Sequence, residues 1–239
     1  MEIRLPTRRE RLRAQTVREI KAIARTHMAA EGPAAISLRA IAREMGMTPG
    51  AVYGYFDTRD ALITELITET YNELADQEEA ARDAVPADDP AGRLVAVAMA
   101  YRRWAVTSPD EFQLLYGDPI PGYQAPTDGP LPVAAHRACA MLSDLVAAAW
   151  PRARTVQATG EHRWEDFDPA LARQVRQAHP ELPPDGVGLA VRVWGRMHGL
   201  VALEVYGHLA SLTTDPAKLY RAEMADLARS LGSATGASA

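Results

Sequence analysis

Cysteine is nearly missing from this chain, with Cys139 alone among 239 residues. A single thiol excludes an internal disulfide and a four-cysteine metal site, and it fits a reducing, cytoplasmic setting. No run of 18 or more apolar residues occurs, so no membrane-spanning helix is expected. The first thirty residues carry Arg4, Arg8, Arg9, Arg11 and Arg13 but no apolar core, so they do not read as a secretory signal. Alternating stretches rich in Val, Ile and Thr are absent, which argues against strands. So are the G-x-S-x-G elbow, the phosphate-binding loop, H-E-x-x-H and a Gly-rich dinucleotide turn, which argues against an enzyme. His198 and His208 lack a third ligand at recognisable spacing, so neither a metal nor a cofactor is expected. Lysine is scarce too, 2 residues against 24 arginines, a ratio that reflects genomic base composition more than chemistry.

What is present is helical. The composition, 47% apolar and 24% charged, is ordinary for a globular protein, and Ala fills the interiors of the periodic segments. A first helix is predicted after Pro6, from about Thr7 to Ala30, with Val17, Ile20, Ala24 and Met28 as its stripe and Gly32-Pro33 as its stop. Ser37 caps a second helix that Gly46 ends in a left-handed conformation, and Thr48-Pro49 opens a third that runs to about Phe56. Asp57-Thr58-Arg59-Asp60 opens a long fourth helix, 58–83, striped by Leu62, Ile63, Leu66, Ile67 and Leu74. Glu78-Glu79 on that helix reads as a solvated face. Further helices are expected over 91–107, 111–116, 132–149 and 168–178, with a loop over 117–130 and irregular chain over 150–167. Val187, Val191, Trp194, His198, Val201, Val205, His208 and Leu212 recur every three or four residues, a seam of the kind that packs knobs into holes. Asp215-Pro216 opens a last helix striped by Tyr220, Met224, Leu227 and Leu231, and the tail 233–239 is expected to be disordered.

The net charge of −5 conceals a division. Residues 1–59 hold eleven Arg/Lys against six Asp/Glu, whereas residues 60–239 hold fifteen against twenty-five. A basic head on an acidic body suits a polyanionic partner for the head alone. Solvated basic tails are also common, and the arginines before residue 14 read either as such an arm or as one that enters a minor groove.

The segment 37–56, SLRAIAREMGMTPGAVYGYF, is a helix, a Gly-containing turn and a second short helix. Gly50 and Ala51 are small enough for the start of that helix to enter a major groove about 12 Å wide. Val52 and Phe56 face inward, and Tyr53 and Tyr55 lie on other faces with hydroxyls able to reach phosphate or a base edge. Residues 15–62, with AAEGPAAIS, LRAIAREMGMTPGAVYGYF and DTRDAL in order, resemble the N-terminal domain of TetR-type regulators. The resemblance implies DNA contact by Thr48, Gly50, Ala51, Tyr53 and Tyr55, with Ser37, Arg39 and Arg59 holding the backbone. Arg59 stands where that family often has lysine, and Gly54 where it often has a bulkier residue.

The remainder, EFQLLYGDPIPGYQAP and later VWGRMHGLVALE, is similar to TetR C-terminal domains marked by a Trp…His-Gly signature, here Trp194, His198 and Gly199. The implied architecture is all-α: a helix-turn-helix DNA-binding head over 1–60 joined to a ligand-binding and dimerisation domain over 61–239. The implied effector site draws on Trp104, Tyr116, Tyr123, Trp150, Trp194 and His198, and Cys139 reads as a small buried hydrophobe. The implied homodimer pairs 187–212 and 215–231 with the partner's copies, through Val187, Val191, Val201, Val205, His208, Tyr220, Met224 and Leu227. Partners are then a double-stranded DNA operator and a small apolar or aromatic effector, with repression relieved by ligand and no membrane. A helical enzyme and a purely structural helical dimer are the other readings left open.

Overall fold

The computed structural model describes residues 6–158 and 160–232, so the expectation for the tail 233–239 lies outside the described residues. Among the described residues there are ten α-helices, two short 3-10 turns and no strands. The chain folds as two compact units, one of residues 1–70 and 110–133, the other of residues 71–109 and 134–239. Where the sequence places a boundary after residue 60, the units part inside the fourth helix, and 110–133 returns to the first unit.

In the first unit, α1 spans Arg8–Glu31, α2 Leu38–Glu44 and α3 Pro49–Tyr53. Thr7 starts α1 with a capping box: its side chain accepts from the Glu10 N–H, and the Glu10 carboxylate accepts from the Thr7 N–H. Arg8, Arg9, Arg11 and Arg13 therefore lie in the first helix, as expected from its start near Thr7. Ser37 caps α2, and Gly46, at φ +65, closes it. The Met47 N–H donates to the Ala42 carbonyl at 2.9 Å and the Gly46 N–H to Arg43 at 3.2 Å, the paired bonds of a Schellman stop. Helix α4 spans Arg59–Asp83, its first turn capped by Thr58 Oγ1, which accepts from the Ala61 N–H at 3.0 Å. Ile20, Ala24 and Met28 of α1, Ile41 and Ala42 of α2, Val52 and Phe56, and Leu62, Ile63 and Leu66 of α4 are buried as the periodicity requires. Helix α6, Pro109–Tyr116, adds Phe112 and Leu114.

In the second unit, α5 spans Pro90–Thr107, α7 Pro130–Ala153, α8 Pro169–Ala178, α9 Pro184–Val205 and α10 Pro216–Ser230. Helix α5 packs against both α9 and α10, which also pack on each other. Its Leu94, Val97, Tyr101 and Trp104 are buried there with Val193, Met197, Val201, Tyr220, Met224 and Leu227. Two boundaries differ from the sequence reading. Helix α7 continues four residues past Ala149, carrying Pro151 in its last turn. Helix α9 stops at Val205 instead of continuing to residue 212, because Gly207 adopts φ +79. The His208 N–H then donates back to the Leu203 carbonyl at 2.8 Å and the Gly207 N–H to Glu204 at 3.0 Å. Cys139, expected to be buried, is exposed on α7.

Candidate nucleic-acid interface

The head presents the start of α3 to solvent. Thr48 Oγ1 accepts from the Ala51 N–H at 3.3 Å, Pro49 fills the first helical position, and Thr48, Pro49, Gly50 and Ala51 are all exposed. A side chain at position 50 would meet nothing within 4 Å, so this end of α3 is bare backbone. Val52, fully buried, anchors the helix by its opposite face. Tyr53 is 39% exposed, and Arg39 lies exposed in the first turn of α2. Arg39, Thr48, Gly50, Ala51 and Tyr53 thus form an open polar surface around one helix end, a shape and charge suited to a groove edge. Ser37 is half-buried and serves α2, accepting from the Ala40 N–H at 3.5 Å.

Two expected DNA contacts have other work. Arg59 Nε donates to the Ile36 carbonyl at 2.8 Å, and its terminal nitrogens donate to Ala34 at 3.1 Å and Pro121 at 3.4 Å. A guanidinium that satisfies three carbonyls is a strut between the α1–α2 connection, the start of α4 and the 117–129 loop. Lysine at this position would lack the planar fork that reaches several acceptors at once. Tyr55 is half-buried under Arg13, whose guanidinium lies 4.9 Å from the ring centroid and also donates to the Gly54 carbonyl at 3.1 Å. Tyr55 therefore fastens the end of the recognition segment to α1 and does not stand open beside Tyr53.

Deeper in the same unit, Lys21 pairs with Glu65 at 3.4 Å and with Glu69, while Arg25 reaches Glu69 at 3.4 Å and Glu111 at 3.2 Å. These bridges join α1 to α4 and α6, and they remove two cations from the basic surface. The cap makes a measurable contribution of its own. Thr48→Ala is expected to lower the stability of the head by about 1 kcal/mol, and Thr48→Ser to restore most of it. Urea titrations followed by circular dichroism check this; equal midpoints for Thr48→Ala and wild type would remove the cap from the account.

The residues expected to hold an effector are divided between the two units. Tyr116 and Tyr123 belong to the first unit, where Tyr116 packs on Phe112 at 5.4 Å between centroids and the Tyr123 hydroxyl bonds Thr64 Oγ1 at 3.0 Å. Trp104, Trp150, Trp194 and His198 belong to the second. Three of these form a cluster around Tyr101, which the sequence does not single out. Trp194 stacks on His198 at 5.0 Å, Tyr101 Oη bonds His198 Nδ1 at 2.7 Å, and Tyr101 lies 6.0 Å from Trp104. Burial lowers the His198 pKa, so the ring is neutral at neutral pH and one of its nitrogens accepts.

The expected dimer residues also divide. Val187, Val201, Tyr220, Met224 and Leu227 are at most 2% exposed within a single protomer and belong to its core. Val191 is 49% exposed, His208 is exposed and Val205 is half-buried. The outward face of α9 runs instead through Val191, Gly195, Gly199, Leu203 and Tyr206, of which Gly195 and Gly199 have nothing within 4 Å of a built side chain. At about 100° per residue the seam residues 187–205 fall within about 80° of arc, along the border between the buried and the outward faces, so some turn inward and others outward.

Comparison with known proteins agrees with the head and with the body. Residues 20–66 match the bacterial regulatory proteins of the tetR family, and residues 94–227 match the tetracyclin repressor-like C-terminal domain. The chain is 36% identical over 223 residues to the HTH-type transcriptional regulator Rv1816 of Mycobacterium tuberculosis, covering 90% of this chain and 92% of that one. It stands in the same relation to Mb1846 of Mycobacterium bovis, also described as an HTH-type transcriptional regulator, at 36% identity. Among solved structures, that of SCO4313, described as a regulatory protein, superposes with a TM-score of 0.72 at 36% identity and covers 92% of this chain and 98% of its own. A TetR-family regulator from Shewanella sp. PV-4 shares the fold, with a TM-score of 0.54, 15% identity, and coverage of 89% of this chain and 95% of its own. No helix among the described residues is long and apolar enough to cross a membrane. An exposed recognition helix on a basic head, followed by this helical body, places the chain in the TetR family of DNA-binding transcriptional regulators.

Proposed function

We propose that the protein acts as a homodimeric repressor, binding a pseudo-palindromic operator through one head per half-site and leaving it when a small molecule enters the second unit. The exposed start of α3 carries the DNA-reading part of this reading: Thr48, Gly50, Ala51 and Tyr53 contact base edges and sugar-phosphate, and Arg39 neutralises phosphate. Two heads must lie about 34–36 Å apart, or a multiple of that, to enter successive major grooves. Helix α4 begins in the first unit and ends in the second, so a ligand that prefers a different tilt of residues 59–83 changes that separation. Its effect on DNA affinity is limited to its own preference between the two states, typically ~1–3 kcal/mol.

The dimer rests on the outward face of α9. Val191, Leu203 and Tyr206 are each more than 40% exposed, and the bare backbone at Gly195 and Gly199 lets a second helix approach closely. Leu219 on α10, 43% exposed, extends the same apolar character to the last helix. Leu203→Arg and Gly199→Arg are each expected to convert a dimer of two 26.0 kDa chains into monomers and to abolish high-affinity operator binding with it. Sedimentation velocity reads the first effect, and gel shift on a DNA site enriched from genomic fragments by the wild-type protein reads the second. Unchanged sedimentation of both variants would refute this face, and an operator without two-fold symmetry would refute the dimeric reading mode.

A further inference from the structure

The interior of the second unit holds a carboxyl group with one oxygen that has no hydrogen-bond partner among the described residues. Glu78 lies one turn after Leu74 on α4 and is 6% exposed, which corrects its reading as part of a solvated face. Its Oε2 has no hydrogen-bond partner among the described residues, and neither has the hydroxyl of Tyr220 on α10, which is 1% exposed. Native interiors rarely leave such atoms unsatisfied, and each instance calls for a role. Two arginines of this unit are already paired with other carboxylates. Arg137 of α7 donates to Glu79 at 2.8 Å and 2.6 Å and to Asp76 at 2.6 Å, and Arg102 of α5 holds Glu204.

The two unsatisfied groups share one electrostatic neighbourhood. Glu78 acts on Tyr101 of α5, Tyr220 of α10 and Cys139 of α7, while Glu79 and Tyr71 flank the group from α4 itself. From α9, His198 reaches this neighbourhood through its bond to Tyr101, and from α5 and α9 the paired charges of Arg102 and Glu204 both act on Tyr220. Burial, reinforced by the Glu79 charge, pushes the Glu78 carboxyl up to about 8. Aromatic side chains adjoin this carboxyl, since Tyr101, on which it acts, lies 6.0 Å from Trp104 between ring centroids.

We propose that Glu78 and Tyr220 form the polar end of an effector site in the second unit, and that the effector is an organic ammonium ion. Its N–H groups donate to the Glu78 carboxylate and to the Tyr220 hydroxyl oxygen, and its apolar part lies against the aromatic cluster, where Tyr101 also attracts the cation. A positive charge supplies what the desolvated carboxylate lacks, which a neutral apolar ligand does not. The assignment rests on the ligand-responsive reading above and names its ligand class.

The test is calorimetric titration of the full chain with n-octylammonium chloride between pH 6 and pH 9, with 1-octanol and octanamide as neutral controls. Below about pH 8 each ammonium bound displaces one proton from Glu78, so affinity should rise close to tenfold per pH unit from 6 to about 8 and then level off. Glu78→Gln, which keeps the shape and removes the charge, should weaken octylammonium binding at least about tenfold at pH 8 and flatten the pH profile. Tyr220→Phe should weaken it a few-fold. Melting of each ligand-free variant establishes that it is folded before titration. Equal binding by wild type and Glu78→Gln overturns the proposal, as does preference for octanol or octanamide, or the absence of binding across butyl-, octyl-, decyl- and benzylammonium. Release of operator DNA by a non-basic compound, without ammonium binding, would leave ligand-responsive repression standing and remove this site alone.

Discussion

Ala51→Glu is expected to abolish sequence-specific DNA binding, lowering operator affinity at least about a hundredfold, while leaving the head folded or slightly more stable. Ala51 is the third residue of α3 and is exposed. Thr48 is the cap, so glutamate at 51 completes a capping box, its carboxylate reaching back to the Thr48 N–H. The acidic charge also suits the positive end of a helix. The same carboxylate faces a groove walled by phosphates, where like-charge contact costs several kcal/mol and the base-edge contacts of the neighbouring residues are lost. Local stability and DNA affinity should therefore move in opposite directions, which a general unfolding effect does not produce. Ala51→Gln separates charge from size and should bind better than Ala51→Glu. Arg39→Ala should instead weaken binding evenly across sequences and reduce the salt slope by about one. Fluorescence anisotropy on the enriched operator, over a salt series, measures all three. Affinity of Ala51→Glu within threefold of wild type would take α3 out of the groove.

How far the chain could be read in advance follows from what kind of interaction fixes each feature. Helix starts and stops depend on one or two residues, and Thr7, Ser37, Thr48 and Gly46 act where their chemistry predicts. The core of the head followed from spacing alone, because Ile20, Ala24 and Met28 can face only one way. The contacts of Arg59 and Tyr55 are not legible in the sequence because their partners, the Pro121 carbonyl and Arg13, are 62 and 42 positions away in the chain, and no local pattern encodes such a meeting. The dimer seam failed differently. Gly207 belongs to the same turn signals that worked at Gly46, yet a run of apolar residues on both sides hid it. Glu78 had a legible signal: it continues the buried spacing of Leu66, Thr70 and Leu74 at four-residue intervals. A rule that places charge outside concealed it, and a charged residue on an apolar stripe is the informative exception to that rule.

Arg102 and Glu204 show the energetic counterpart of that exception, a buried charge that is answered. Arg102 Nε donates to Glu204 Oε2 at 2.7 Å and a terminal nitrogen donates to Oε1, a two-point clasp between α5 and α9 with side chains 14% and 13% exposed. Arg102→Met is expected to destabilise the second unit by about 3–5 kcal/mol, because it strands the Glu204 carboxylate in a desolvated site. Most of that cost is the orphaned charge and not the lost attraction. The double variant Arg102→Met with Glu204→Leu should therefore recover nearly all of it, ending within about 1 kcal/mol of wild type or above it. The exposed Arg229–Asp226 pair, with side chains 52% and 55% exposed, should by contrast be worth about 0–1 kcal/mol when either residue becomes alanine. All four tryptophans, Trp104, Trp150, Trp164 and Trp194, lie in the second unit, so urea unfolding followed by their fluorescence reports on that unit directly. Strong non-additivity between the two single changes is the signature sought. If the double variant were as unstable as the sum of the singles, the clasp would be acting through shape and packing, and the charge argument would be wrong for this pair.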